Sequence, residues 1–121
     1  MKDLKISKEL IKAVLEKETE TLSKDFNFTL NEDYIEFSDD GEMQFEYCIY
    51  KFVFKCKDWA FSKGYIVSSG LTPVLGINKD GWAQVFSSST PLDGKLHTFK
   101  QLSESEAVFK ACEWILSEVN K

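Results

Sequence analysis

The chain has no arginine: all fifteen basic residues are lysine, set against twenty acidic residues for a net charge of −5. Arginine is the side chain whose planar fork pairs bidentately with phosphate and guanine. Its absence beside a negative net charge argues against direct nucleic-acid binding. Histidine occurs once, at His97, and proline twice. No apolar run approaches the ~18 residues of a membrane span. The first residues, MKDLKISKELIKAVLEKE, alternate charged with apolar positions and lack the continuous apolar stretch of a secretion signal. The expectation is a cytoplasmic protein with no membrane contact. The three cysteines, Cys48, Cys56 and Cys112, are odd in number and have no C-x-x-C or Cys/His spacing. They therefore suggest neither a disulfide frame nor a metal site, and fit small apolar packing. There is no P-loop, and Gly70, Gly76 and Gly81 are not in dinucleotide-binding order. No cofactor is expected.

What the chain has is length, aromatics and unevenly placed acid. At 121 residues it is expected to form a single domain, 1–121, long enough to bury roughly two thirds of its unfolded surface. Ten Phe, four Tyr and three Trp point to an aromatic-rich core. Residues 25–46 carry eight acids and no lysine, among them Glu36, Asp39, Asp40 and Glu42. The remainder of the chain is about +3 by difference, so this acidic hairpin is a candidate surface for a basic partner as well as an ordinary solvated turn region.

Local patterns give the order of elements. Ser7 is placed to cap a helix from about Lys8 to Glu20, with Ile6 and Ile11 at the staple positions. FNFTL at 26–30, YIEFS at 34–38 and MQFEY at 43–47 read as strands separated by Asn31-Glu32-Asp33 and Asp39-Asp40-Gly41 turns. Tyr65–Ser69 reads as a strand. Lys79-Asp80-Gly81 reads as a hairpin turn between LTPVLGIN and WAQVFSS, with Pro73 marking a late start or an edge. PLDGKLHTF at 91–99 reads as a loop with a short strand at its end. Ser103 and Glu106 form a capping box ahead of a closing helix over Glu104–Val119. The expected fold is α+β: an antiparallel sheet with helices packed on it, in the order α-β-β-(β)-α-β-β-β-α. Its core would draw on Phe26, Phe28, Ile66, Val74, Val85 and Phe86, completed by Cys56, Trp59, Cys112 and Ile115.

The stretch 47–65, YCIYKFVFKCKDWAFSKGY, has seven aromatics in nineteen residues. Propensity favours a strand for its first half, but alternation fails, since Ile49 and Val53 share a side with Lys51 and Lys55. Helical spacing places Ile49, Phe52, Val53, Cys56, Trp59 and Ala60 on one face and Lys51, Lys55, Asp58 and Ser62 on another. The reading is a helix from Ile49 to Lys63, stopped by Gly64. Tyr47, Tyr50, Phe54 and Phe61 are left over, and if Tyr47 is helical they form a second apolar stripe. Monomeric proteins seldom expose such a patch without use. The stripe is covered by the first helix or the 91–99 loop, forms a homodimer interface, or receives a protein partner. Phe54-Lys-Cys-Lys-Asp-Trp59 is echoed by Phe109-Lys-Ala-Cys-Glu-Trp114, a hint that the two helices pack alike.

Catalytic motifs are sparse. A hydrolase would have to use His97 as a base with a nearby hydroxyl such as Ser87, Ser88 or Ser89, yet no nucleophile-elbow pattern surrounds them. Asn78-x-Asp80-Gly81 lacks the first ligand and the closing Glu of a calcium loop.

KCKDWAFSKGY (55–65) and SESEAVFKACEWILSEVNK (103–121) resemble segments of small bacterial and prophage proteins of unknown function. Those proteins have a K-C-x-[DE]-W-A-x-x-[KQ]-G-Y helix, a few strands, and a closing E-A-x-F-K-A-C-E-W-I-L helix. The chain is also similar, more loosely, to phage domains described as α/β/α sandwiches. The resemblance implies a phage or mobile-element setting and assigns no mechanism. The leading expectation is a non-catalytic protein that binds an unidentified protein partner, as an inhibitor or anti-defence protein does. The alternatives are an immunity-type protein that neutralises a toxin and a small hydrolase using His97.

Overall fold

The computed structural model describes residues 6–31, 33–73, 79–89 and 95–121. Ser7 caps the first helix as its position suggests: its hydroxyl accepts from the Leu10 N–H at 3.1 Å, while Ile6 and Ile11 are both buried beside it. The single expected helix is in fact two, α1 (Lys8–Val14) and α2 (Glu16–Thr19), separated by Leu15 at φ −107°, ψ 48°. The hydrogen bonds carry across the break. Leu15 N–H donates to the Ile11 carbonyl, and the Leu15 carbonyl accepts from both the N–H and the hydroxyl of buried Thr19. A threonine hydroxyl bonded back one turn bends a helix, and the bend here sits beside fully buried Leu15.

Strands β1 (Asn27–Leu30), β2 (Tyr34–Asp39) and β3 (Glu42–Cys48) form an antiparallel sheet in that order. Asp40 and Gly41 both have positive φ, 57° and 81°, the pairing of a two-residue hairpin turn whose twist matches its strands. At the other end, Asn31 Oδ1 accepts from the N–H groups of Asp33 and Tyr34. Phe28, Phe37 and Phe45 lie in register across the three strands, with Phe37 stacked on Phe45 at 4.7 Å.

Helix α3 (Ile49–Ser62) follows β3 directly. The Asp33 carbonyl accepts from the Ile49 N–H at 2.8 Å, satisfying one of the helix's free donors. Lys63 and Gly64, the latter at φ 94°, stop it. Strands β4 (Tyr65–Pro73), β5 (Lys79–Ser87) and β6 (Lys95–Gln101) make a second antiparallel sheet, and α4 (Glu104–Val119) closes the chain. The expected α+β class and element order are observed, with the strands divided between two three-stranded sheets.

The second sheet corrects several expectations. Asp80-Gly81 is not a turn: both residues are in β5, paired with Thr72 and Leu71 of β4. Gly81 is there for a close approach. A Cβ at this position would overlap the backbone of Ser103 and Glu104, where α4 begins. The β4–β5 connection at 74–78, with the expected core residue Val74, lies outside the described residues, as do residues 91–94 of the expected 91–99 loop; the rest of that stretch is in β6. Pro73 ends an edge strand. Ile66 and Phe86 pair with each other on the sheet face turned away from the helices and are half-buried. Val67, Ala83 and Val85 are the buried positions instead. Phe28 is also only half-buried, packed on the core's edge.

α3 and α4 pack together against the second sheet. Phe52 meets Phe109 at 5.4 Å, and the Cys112 thiol lies 3.7 Å from the Cys56 carbonyl, with both cysteines, Ala60 and Ile115 fully buried. Each fully buried Phe, Leu or Ile contributes on the order of 2 kcal/mol by area removed from water. Glu113 of α4 holds the first helix in place, accepting from the Ser7 N–H at 3.0 Å and its hydroxyl at 2.8 Å. Among the described residues no helix is long and apolar enough to cross a membrane.

Candidate protein-binding face

Helix α3 divides its residues sharply. Ile49, Phe52, Cys56, Trp59 and Ala60 turn inward, while Tyr50, Phe54 and Phe61 are 66%, 69% and 62% exposed. At 3.6 residues per turn the three outward rings fall within an arc of about 40° and run for about 16 Å along the axis. Half-buried Lys57 stands in the same row. The neighbouring row holds Lys51, Lys55, Asp58 and Ser62. There Lys55 reaches Glu18 at 3.1 Å, a hydrogen bond that raises the Lys55 pKa.

Tyr47 does not join this row. It belongs to β3, pairs with Ile35 and is half-buried at the edge of the core; burial raises its phenol pKa. Beside the exposed rings runs a groove of about 490 Å³. Tyr50, Val53, Phe54 and Lys57 form one wall, Leu71 of β4 another, and Ser103–Ser105 at the start of α4 the end. The Glu104 carboxylate accepts from the Ser69 hydroxyl at 2.6 Å, so it is held to the sheet. Leu71, 51% exposed, extends the apolar surface beyond α3. It was hidden in the sequence because it opens LTPVLGIN, read as a strand flanking the Lys79–Gly81 turn, and no local signal sets that strand beside α3. The echo between the two helices is one of sequence alone: Phe54 is exposed where Phe109 is 1% exposed.

The acidic hairpin residues form a separate group on β2 and β3, and none of them lines the groove. Asp39 is engaged within the chain. Its carboxylate accepts from the Ser23 N–H at 2.8 Å and the Ser23 hydroxyl at 2.5 Å, and these bonds lower its pKa. Asp40 occupies the turn, and Glu42 begins β3 opposite Asp39. Glu36 lies directly across from Glu46, a like-charge pair that costs stability, with the Asn31 amide 3.5 Å from Glu36.

His97 lies in β6, not in a loop. It stacks on Phe99 at 4.4 Å and meets Trp114 at 5.4 Å, and Trp114 in turn meets Tyr65 edge-on at 6.0 Å. Among the described residues, its hydrogen-bonding neighbour is the Thr98 carbonyl at 3.3 Å. Cys56 is 0% exposed, and its burial, with Cys112 beside it, pushes its thiol pKa well above the ordinary value. Among the described residues, no three His, Cys, Asp or Glu side chains converge as metal ligands would. No family model matches the chain, and no curated protein or solved structure matches it either.

Proposed function

We propose that this chain is a non-catalytic protein-binding domain whose contact surface is the outer face of α3. The observation that carries the reading is the row of Tyr50, Phe54 and Phe61, each more than three-fifths exposed on an ordered helix whose other side is core. Large aromatic rings on a rigid helix bury much area at little entropic cost when a partner covers them. The groove against Leu71 adds a concave strip alongside. The exposed His97 ring stacks on Phe99 and meets Trp114 at a tilt, and its hydrogen-bonding neighbour among the described residues is a backbone carbonyl and no hydroxyl or carboxylate, which supports a packing role over a general base. The resemblance of the α3 and α4 segments to small prophage proteins suggests an inhibitor or anti-defence protein. An immunity-type role is the second reading, favoured by Asp40, Glu42 and Glu46, which form no ion pair with a lysine among the described residues.

The test is affinity capture from a native-source lysate with wild-type and Phe54→Glu baits of equal thermal stability. A protein retained by the wild type and lost from the variant supports the face. Identical capture by both removes it. Charge reversal at Asp40 and Glu42 in a third bait separates the acidic hairpin from the aromatic row.

A further inference from the structure

The outer row of α3 has a symmetry of its own. Tyr50, Phe54, Lys57 and Phe61 are spaced four, three and four residues apart, the spacing of a helix seam that meets another helix. The row is also palindromic. Laid antiparallel against a copy of itself, with the two-fold axis between Lys55 and Cys56, it sets Tyr50 opposite Phe61 of the copy and Phe54 opposite Lys57. The first pairing is ring on ring and the second an ammonium over a ring.

The flanking charges obey the same symmetry. Lys51 and Asp58 occupy the same solvent-exposed edge of the seam. In the antiparallel arrangement Lys51 of one copy and Asp58 of the other come within about 3 Å of the same level along the axis, and the symmetry makes this pairing twice. A parallel arrangement would instead set Lys57 against Lys57 in the seam and carry the Lys51/Asp58 edges of the two copies to opposite sides, where neither pair forms, so charge selects the antiparallel form. We infer that the outer face of α3 binds a second copy of this chain, antiparallel across a two-fold axis. The inference rests on reading that face as a protein-binding surface.

The size of the contact sets its strength. Each ring offers about 200 Å² when fully exposed, so the three supply about 400 Å² per protomer. With Lys51, Lys57 and Asp58 the two protomers together bury on the order of 1,000 Å², the lower edge of a specific interface. The dimer is therefore weak, with a Kd in the range of about 10–100 μM.

Sedimentation velocity of the full chain from about 5 to about 500 μM spans that range. The expected result is a monomer that becomes a dimer with concentration. Phe54→Glu should stay monomeric throughout, with unchanged far-UV circular dichroism. Lys51→Asp and Asp58→Lys should each weaken the dimer by about tenfold, because each places like charges opposite one another twice. The double variant K51D/D58K should recover to within about threefold of wild type. A monomer at every concentration overturns the inference, and so does a double variant no tighter than either single one. If the chain stays monomeric while Phe54→Glu still loses a captured protein from a lysate, the second copy is refuted and the binding-face reading stands on a foreign partner.

Discussion

Gly81 is the residue at which one methyl group should do most harm for its size. A Cβ there would overlap the Ser103 carbonyl group and the Glu104 nitrogen. These are backbone atoms of a helix start that is held on several sides. The Ser103 carbonyl accepts from the Ala107 N–H, the Ser103 hydroxyl accepts from the Glu106 N–H, and Glu104 is bonded to Ser69. To restore van der Waals separation the start of α4 would have to lift by roughly an ångström or more. That movement would loosen Ala107, Val108 and Phe109, all buried. Overpacking of this kind costs about 1–3 kcal/mol, and a backbone obstacle puts Gly81→Ala at the upper end. The more restricted unfolded chain returns about 0.5–1 kcal/mol, leaving a net loss of about 2 kcal/mol. With m near about 2 kcal/mol/M, the urea midpoint should fall by about 1 M. Gly70→Ala is the matched control. Its Cβ would meet only the Trp82 side chain, at 2.8 Å, and a half-buried indole can turn aside. The control should lose less than about 1 kcal/mol. If Gly81→Ala is no worse than Gly70→Ala in equilibrium urea unfolding, the close seating of α4 on β5 is wrong.

Three further outcomes are expected. Ser7→Ala removes both a helix cap and the hydroxyl bond to Glu113, leaving the backbone N–H bond in place, and should cost about 1–2 kcal/mol in the same assay; no change would mean that the Ser7 hydroxyl carries no weight at this helix end. Of the three thiols, Cys48 is half-exposed and Cys56 and Cys112 are buried. A disulfide reagent at neutral pH should therefore titrate one thiol in the native protein and all of them in denaturant; fast native reaction of Cys56 would contradict its burial. Asp39 has its pKa lowered by the Ser23 bonds, so its stabilisation is present above the unfolded value of 3.8 and is lost as pH falls through the lower folded value. Asp39→Asn should be less stable than wild type at pH 7, with the gap closing in acid; a gap that widens in acid would reverse the assignment.

The sequence exposed the local structure better than the turn geometry. Ser7, Ser103 and Gly64 mark helix ends because capping chemistry is carried by one or two neighbouring residues, and those signals need no tertiary context. Helix α3 was legible from period alone, against its strand-like composition, because the buried residues Ile49, Phe52, Cys56, Trp59 and Ala60 recur at three and four. Asp80-Gly81 misled for a reason that local reading cannot reach: the same glycine that suits a turn also suits a strand crossed closely by another backbone. The choice of Ile66 and Phe86 over Val67 and Ala83 for the core follows from size, since the larger residues sit on the face the helices do not cover. In the candidate face, Tyr50, Phe54 and Phe61 were found by subtraction from the core stripe. Tyr47 was grouped with them on the condition that it were helical, a condition its place in the 43–48 strand does not meet.

The outer face of α3 is proposed to bind another protein chain, a second copy first. Amide chemical shifts of the labelled protein, recorded from about 10 to about 500 μM, address it residue by residue across the expected Kd. Concentration-dependent shifts should be confined to Tyr50–Phe61 and the adjoining Leu71, saturate along one binding curve and be abolished by Phe54→Glu. Shifts centred on the 39–42 hairpin, or on Trp82 and Phe86 of the other sheet face, would contradict it.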